Sequence, residues 1–316
     1  MRAARLHRFG GPDVLQIDEV AWPRPKGDEV LIHVTASSIN GTDLNLRRGG
    51  LGPVAAGLLP FTVGFDVAGV VVDCGPRVTA FRPGDRVMSL LGHRGGGAAD
   101  YVTVRQGRVG SAPHSIDLEM AASVPLSGLT ALQALRHAGR LQPGRPCRVL
   151  VYGAAGGIGA FAVQLARILG AHVTATARPS KLTFLRDLGA HAVMDSADVT
   201  WDGAHEPWDI ILDTPPTLSF QQVQPALSAH GVLISTRGVP GRARDAAALL
   251  NRRRPHFATV RTAERGIDLG LLTRLIDAGE LHPPLDRIFA LEDISRAHQY
   301  AEGDDVRGKV VVSAAR

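Results

Sequence analysis

A glycine-rich segment at residues 153–159 has the residue types and spacing of a loop that binds phosphates. It reads Gly-Ala-Ala-Gly-Gly-Ile-Gly and directly follows the apolar run Arg148–Tyr152. A helical pattern begins within it, and strand, glycine turn and helix in this order form a dinucleotide-binding fingerprint. In this fingerprint Gly156 lets the backbone approach the pyrophosphate, and Gly159 lets the helix pack against the strand.

The backbone N–H groups at the start of that helix, together with the helix dipole, favour a bound phosphate. We therefore predict that the loop binds a dinucleotide cofactor through Ala155, Gly156, Gly157 and Ile158. The alternative is a tight turn in a sheet that binds no cofactor.

The end of the next strand indicates which dinucleotide is bound. An NAD site normally has Asp or Glu there to bind the ribose 2′-hydroxyl. Here the segment 176–181 reads Thr-Ala-Arg-Pro-Ser-Lys and contains no acid. Arg178 and Lys181 suit the dianionic 2′-phosphate of NADPH, because both donate charged hydrogen bonds. The alternative is that they are ordinary charges at the start of a helix.

Strands and helices alternate from residue 148 to about residue 235, which predicts a doubly wound parallel sheet. The expected strands are Arg148–Tyr152, Val173–Ala177, Trp208–Asp213 and Gly231–Ser235. The stretch before residue 115 is rich in strand patterns and glycine turns, whereas a helix, a strand, a helix and a strand follow residue 261. The fold class is therefore α/β.

Composition excludes several classes of protein. The chain has 316 residues, 45% of them hydrophobic, a net charge of +5 and a pI near 9.7. The arginines are scattered and only 5% of residues are aromatic, so we expect no nucleic-acid partner. No apolar run reaches the ~18 residues of a membrane span, and the N-terminal sequence lacks a signal-peptide pattern. We expect a cytoplasmic protein that contacts no membrane.

In several segments the sequence resembles the medium-chain dehydrogenase/reductase superfamily, specifically its zinc-independent quinone oxidoreductase type. The matching segments follow one another in the order of the family, along essentially the whole chain: 9–15, 39–43, 48–49, 60–71, 78–87, 154–159, 162–166 and 308–312. The resemblance implies a Rossmann domain at residues 121–261, inserted into a GroES-like catalytic domain formed by residues 1–120 and 262–316. It also implies a homodimer.

The resemblance also bears on metal binding. Zinc-dependent relatives have Cys at the position of Asn40, His at that of Phe65 and a second Cys near Ser127. A catalytic zinc needs about three protein ligands. Cys74 and Cys147, the chain's two cysteines, are far apart in sequence and form no CxxC pair. We therefore expect no metal.

Further site residues follow from the family positions. Asn40 would lie beside the nicotinamide and the substrate, where it could donate to a developing oxyanion. Thr130 would lie near the carboxamide end of the cofactor, and the loop from Ser235 to Gly238, which includes Arg237, would lie near the nicotinamide. Asp43 and His93 are candidate proton donors, each with a structural role as the alternative.

These residues predict an NADPH-dependent reductase that transfers hydride to a quinone or an α,β-unsaturated carbonyl compound without a metal. Such substrates delocalise the charge that the hydride brings, so that no Lewis acid is required. One alternative is an enoyl-thioester reductase of a biosynthetic pathway. Another is a regulatory protein that binds NADPH without catalysis.

Overall fold

The computed structural model describes residues 1–50, 57, 59–203, 206–236 and 255–315, and the chain divides into two compact units. The first unit comprises Met1–Leu129 and Glu264–Arg316, and the second comprises Thr130–Ala263. The second unit is thus a continuous insertion in the first. Its ends lie at 129/130 and 263/264, compared with the sequence-based expectation of 120/121 and 261/262.

The first unit is built mainly from antiparallel strands. A three-stranded sheet has the order β2-β1-β4, and a seven-stranded sheet has the order β15-β16-β3-β5-β6-β8, with β7 paired to β3. The strands are β1 (Arg2–Leu6), β2 (Leu15–Glu19), β3 (Glu29–Ile39), β4 (Phe61–Thr62), β5 (Asp66–Cys74), β6 (Arg86–Leu90), β7 (Tyr101–Arg105), β8 (Val109–Ser111), β15 (Leu285–Ala290) and β16 (Lys309–Ser313).

The C-terminal segment completes the sheet of the first unit. Strand β16 pairs antiparallel with β3, with Val310 opposite Ile39 and Val312 opposite Ser37. This register places Lys309, the residue before Val310, next to the start of the first helix. The helices are α1 (Gly41–Arg47), α2 (Leu118–Ala121), α3 (Pro125–Gln133), α7 (Gly266–Asp277) and α8 (Ile294–Ala301), and the division between the units falls within α3.

The second unit is a parallel six-stranded sheet in the order β11-β10-β9-β12-β13-β14. Numbered along the chain, this is the order 3-2-1-4-5-6 of a Rossmann fold. Its strands are β9 (Arg148–Tyr152), β10 (His172–Ala177), β11 (Ala192–Asp195), β12 (Trp208–Asp213), β13 (Leu227–Ser235) and β14 (His256–Thr259); its helices are α4 (Gly157–Ile168), α5 (Leu182–Asp187) and α6 (Phe220–Val223).

The central strands of the second unit are buried on both faces. Leu150 of β9, Ile211 of β12 and Leu233 of β13 are fully buried in one apolar cluster with Trp208 and Phe257. Strands buried on both faces are continuous apolar runs, which is why β9 and β12 can be recognised in the sequence. Among the helices of the described residues, none combines the length and the hydrophobicity that a transmembrane span requires.

Candidate active site

The glycine loop joins β9 to α4 in the second unit, and its two key glycines have different surroundings. Gly156 is exposed, caps the N-terminus of α4, and would bring an added Cβ no nearer than 3.9 Å to another atom. At Gly159 an added Cβ would lie 2.6 Å from the Cα of Ala154. The loop is therefore open at Gly156, where a phosphate would approach, and closed at Gly159, where helix and strand pack.

The loops that follow β9, β12 and β13 are hydrogen bonded to one another at the carboxyl edge of the sheet. The hydroxyl of Thr214 lies 2.9 Å from the carbonyl oxygens of both Tyr152 and Gly153. The hydroxyl of Thr236 donates to the carbonyl oxygen of Thr214 at 2.9 Å, and Ser235 before it is buried. Strand order reverses between β9 and β12, so this edge is where a Rossmann sheet binds its ligand.

The end of β10 carries the two predicted phosphate-binding cations. Arg178 is exposed directly after the strand, and Lys181 is half-buried at the end of a short 3₁₀ turn. The neighbouring strand β11 ends at Asp195, which lies opposite Ala177 in the parallel register. Asp195 accepts a hydrogen bond from the backbone N–H of Ala197 at 3.0 Å. The edge therefore carries the Asp195 carboxylate beside the two cations, although residues 176–181 themselves contain no acid.

Three other predicted cofactor residues, Thr130, Ala155 and Ile158, can be located in the second unit. The hydroxyl of Thr130 lies 2.7 Å from the hydroxyl of Thr262, and Thr130 is buried. In the glycine loop, Ala155 is buried while Ile158 is half-buried. Arg237 lies outside the described residues. The roles of all these residues toward a cofactor stay predictions.

In the first unit, Asn40 and Asp43 begin helix α1 together. Asp43 accepts hydrogen bonds from the backbone N–H groups of Asn40 and Gly64, each at 2.9 Å. A carboxylate three residues into a helix commonly bonds back to the residue that caps it. Burial raises the pKa of Asp43 to about 7, whereas both backbone N–H bonds oppose this change. Asp43 is only 1% exposed, and its two hydrogen bonds hold the start of the helix in place.

The side-chain amide of Asn40 is fully hydrogen bonded within the unit. Its Nδ2 donates to the carbonyl oxygen of Ser38 at 3.2 Å and to Oδ2 of Asp66 at 2.9 Å. Its Oδ1 accepts a hydrogen bond from the ammonium group of Lys309. Because an amide has only two N–H hydrogens, donation to a substrate oxygen would require one of these bonds to be exchanged.

Sequence reasoning assigned no role to Lys309 and Asp66, the two other members of this cluster. Both are buried, with Nζ 3.6 Å from Oδ2. Lys309 also donates to the carbonyl oxygen of Ile39 at 3.1 Å, and Asp66 accepts from the N–H of Leu126 at 2.7 Å. Burial lowers the pKa of Lys309, while the charges of Asp66 and Asp43 oppose this change. In the sequence, the sign that Lys309 is buried was its position directly before the three valines of β16.

His93 lies outside this cluster. It is exposed in the short 3₁₀ turn Gly92–Arg94 that follows β6. Its side chain makes no hydrogen bond or ion pair with any described residue. The structure thus joins Asn40 and Asp43 but does not bring His93 to them, and the proton-donor roles of Asp43 and His93 stay predictions.

The residues at the zinc positions do not fit a zinc ion. Asn40 uses both ends of its amide in hydrogen bonds, Phe65 is a buried ring 6.1 Å from the ring of Phe61, and Ser127 is buried. None of the three offers a thiolate or an imidazole, the ligands that zinc prefers. Within the described ranges, no group of three or more His, Cys, Asp and Glu side chains could hold a metal ion.

Two family descriptions match separate parts of the chain. Residues 26–114 match the alcohol dehydrogenase GroES-like domain, and residues 188–312 match the zinc-binding dehydrogenase family. The first match lies in the antiparallel unit, and the second begins in the Rossmann unit and continues into the C-terminal strands. A GroES-like unit with an inserted Rossmann unit defines a class of oxidoreductases.

Individual relatives extend over the whole chain. The chloroplastic quinone oxidoreductase QR1 of Triphysaria versicolor is 32% identical over 99% of this chain and 98% of its own. The mitochondrial NAD(P)H oxidoreductase RTN4IP1 of Danio rerio is 29% identical over 99% of this chain and 91% of its own. This chain belongs to the medium-chain dehydrogenase/reductase superfamily, among the relatives of quinone oxidoreductases, and is an oxidoreductase enzyme.

Solved structures show the same relationship. A quinone oxidoreductase from Coxiella burnetii superimposes with a TM-score of 0.89 at 30% identity, covering 100% of this chain and 99% of that one. The CurK enoyl reductase superimposes with a TM-score of 0.84 at 28% identity, covering 99% and 98%.

Proposed function

We propose that this oxidoreductase uses NADPH to reduce a quinone or an α,β-unsaturated carbonyl compound without a metal ion. The observation that carries the proposal is the open glycine loop at the N-terminus of α4, where Gly156 leaves room for a pyrophosphate. Relatives named quinone oxidoreductase and NAD(P)H oxidoreductase support the reaction class. When bound, the nicotinamide would supply the hydride.

The preference for NADPH over NADH rests on the charges at the end of β10. Arg178 offers a planar fork and Lys181 a point charge, and both favour a phosphate on the ribose 2′ position. Asp195 opposes them, because a carboxylate at this edge favours a free 2′-hydroxyl. The balance favours NADPH, because two cations face a single carboxylate and that carboxylate already accepts a hydrogen bond from a backbone N–H.

A conjugated substrate suits a site without a metal. In a quinone or an enone the negative charge left by hydride addition spreads to an oxygen conjugated with the reacting carbon. Asn40 would lie on the substrate side and exchange one amide hydrogen bond toward that oxygen, and Lys309 behind it would hold the amide in place. Water or a side chain would then supply the proton.

The test is a titration with NADPH and with NADH, followed by nicotinamide fluorescence. We expect tight binding of NADPH and weak binding of NADH. Replacing Arg178 and Lys181 by Ala should weaken the binding of NADPH far more than that of NADH. Arg186 is an exposed arginine on α5, and the control variant Arg186→Ala should change neither affinity. Equal losses of affinity for NADPH and NADH would show that Arg178 and Lys181 do not bind the 2′-phosphate. Preference of the wild type for NADH would indicate that Asp195 binds the ribose 2′-hydroxyl instead. Binding of neither cofactor would overturn the proposal.

A second candidate function is the reduction of an enoyl thioester, which the likeness to the CurK enoyl reductase favours. Turnover assays with NADPH and a set of quinones, enones and enoyl-coenzyme A thioesters distinguish the two. NADPH binding without turnover of any of them would overturn both proposed substrate classes. Homodimeric assembly and a cytoplasmic location stay predictions, and sedimentation analysis of the purified chain tests the first.

A further inference from the structure

The first unit contains a cavity of about 190 Å³ whose charged lining is dominated by arginine. Arg94, Arg105 and Arg108 line it together with Glu29 and Thr103. Arg94 follows β6, and Arg105 ends β7. The cavity is formed entirely by residues of the first unit, whereas the glycine loop belongs to the second.

The three arginines differ in their partners. Arg108 forms an ion pair with Glu264 at 3.2 Å. Arg94 and Arg105 are exposed, and neither has an ion pair with a described residue. Glu29 lies opposite Arg105 in the β3–β7 register and accepts a hydrogen bond from the backbone N–H of Lys26 at 3.1 Å. Two guanidinium groups therefore remain available to an anion, with one carboxylate beside them.

An aromatic cluster lies on the same face of the β3–β7 ladder. Side chains two apart on a strand share a face, so Tyr101 faces the same side as Thr103 and Arg105. Trp22 packs on Tyr101 with ring centroids 4.2 Å apart, and His33 lies on the other strand, 4.9 Å from Tyr101. Trp22 is 60% exposed, which leaves part of its indole open to a ligand.

We propose that this cavity binds a nucleoside phosphate, distinct from the cofactor of the Rossmann unit. Arg94 and Arg105 would bind the phosphate, because guanidinium forks match phosphate oxygens. Glu29 would accept a hydrogen bond from a sugar hydroxyl, as acids do in ribose sites. The base would stack on the exposed part of the Trp22 indole, which itself packs on Tyr101. Tyr101 and Arg105 are about 13 Å apart along β7, a span that a nucleotide and the arginine side chain cover together.

The test uses adenosine 3′,5′-bisphosphate as the probe and the full chain saturated with NADPH. Calorimetry should show saturable binding, and the fluorescence of the chain should change. Arg94→Gln and Arg105→Gln should each weaken binding about tenfold, as the loss of one charged hydrogen bond predicts. The matched control is Arg82→Gln, because the Arg82 side chain is 88% exposed and lies outside the cavity. This variant should bind the bisphosphate as the wild type does.

Trp22 provides a local measurement that does not depend on the cofactor. The fluorescence change should disappear in Trp22→Phe, because the other two tryptophans, Trp201 and Trp208, lie in the second unit. The response should persist in a chain that fails to bind NADPH, so that failure of the proposed function and of this proposal can be told apart. The mid-points of thermal unfolding show whether the variants are folded.

Three results would overturn the proposal. The first is no saturable binding of the bisphosphate. The second is equal binding by the double variant Arg94→Gln/Arg105→Gln and the wild type. The third is equal binding of inorganic pyrophosphate and of the nucleotide without a response from Trp22, which would reduce the cavity to a general anion site.

Discussion

The ammonium group of Lys309 donates a hydrogen bond to the side-chain oxygen of Asn40, 269 positions earlier in the chain. A lysine ammonium has only donors, so this bond determines which end of the Asn40 amide is the oxygen. The amide nitrogen must then point toward Ser38 and Asp66, as its two hydrogen bonds show. The last strand of the chain thereby orients the side chain at the start of the first helix.

Replacing Lys309 by Met should destabilise the first unit strongly. The change leaves Asp66 as a buried carboxylate without its cation and removes the donor to Asn40. Breaking a buried ion pair by removing one partner costs about 3–5 kcal/mol. Urea denaturation measures the loss, and the exposed Lys26→Met should change the free energy of unfolding by less than about 0.5 kcal/mol. A loss below 1 kcal/mol would show that the buried pair contributes little.

Asp43 predicts a pH dependence of stability. Burial raises its pKa to about 7 in the folded chain, whereas an unfolded aspartate titrates near 3.9. Between these values the folded state holds a proton that the unfolded state has lost, so the contribution of Asp43 makes stability fall as the pH rises from about 4 to about 7. For one group the slope is at most about 1.4 kcal/mol per pH unit.

The measurement is the free energy of unfolding of the wild type and of Asp43→Asn across pH 4–8. The variant does not titrate at this position, so the difference in stability between the two chains should change with pH in the stated direction. Asp187→Asn, at an exposed position on α5, is the control and should follow the wild type. A constant difference between wild type and Asp43→Asn would show that Asp43 stays ionised in the folded chain.

The positions of two central strands of the Rossmann sheet could be predicted from the sequence. The expected strands Arg148–Tyr152 and Trp208–Asp213 coincide with β9 and β12, because burial on both faces requires continuous apolar residues. The edge strands β11 (Ala192–Asp195) and β14 (His256–Thr259) were not expected. Each has four residues and is largely half-buried, so neither carries a clear apolar pattern.

In the candidate site, the glycine loop could be predicted from the sequence, whereas the side chains around Asn40 could not. The glycine loop is local in sequence, so that strand, turn and helix can be recognised together. Lys309 and Asp66 contact Asn40 only because β16 pairs with β3 and β5 pairs with β3, and no local pattern encodes such pairings. The place of the Asp195 carboxylate beside Ala177 was not predicted for the same reason, since its strand was not expected and its approach to Ala177 depends on the parallel register.

The two glycines of the loop should separate cofactor binding from folding. Gly156 has φ −79° and ψ 171°, which any residue adopts, and an added Cβ would come no nearer than 3.9 Å to another atom. Gly156→Ala should therefore change the free energy of unfolding by less than about 0.5 kcal/mol. It should still weaken NADPH binding at least about tenfold, because the methyl group takes the space through which a pyrophosphate approaches the backbone.

Gly159→Ala should instead destabilise the fold itself. Its Cβ would lie 2.6 Å from the Cα of Ala154, so α4 and the loop must move apart, at a cost of about 1–3 kcal/mol. Urea denaturation and nicotinamide fluorescence on the two variants measure both effects. Wild-type NADPH affinity in Gly156→Ala would mean that the pyrophosphate does not approach this loop. Wild-type stability in Gly159→Ala would mean that helix and strand have room to separate without loss of packing.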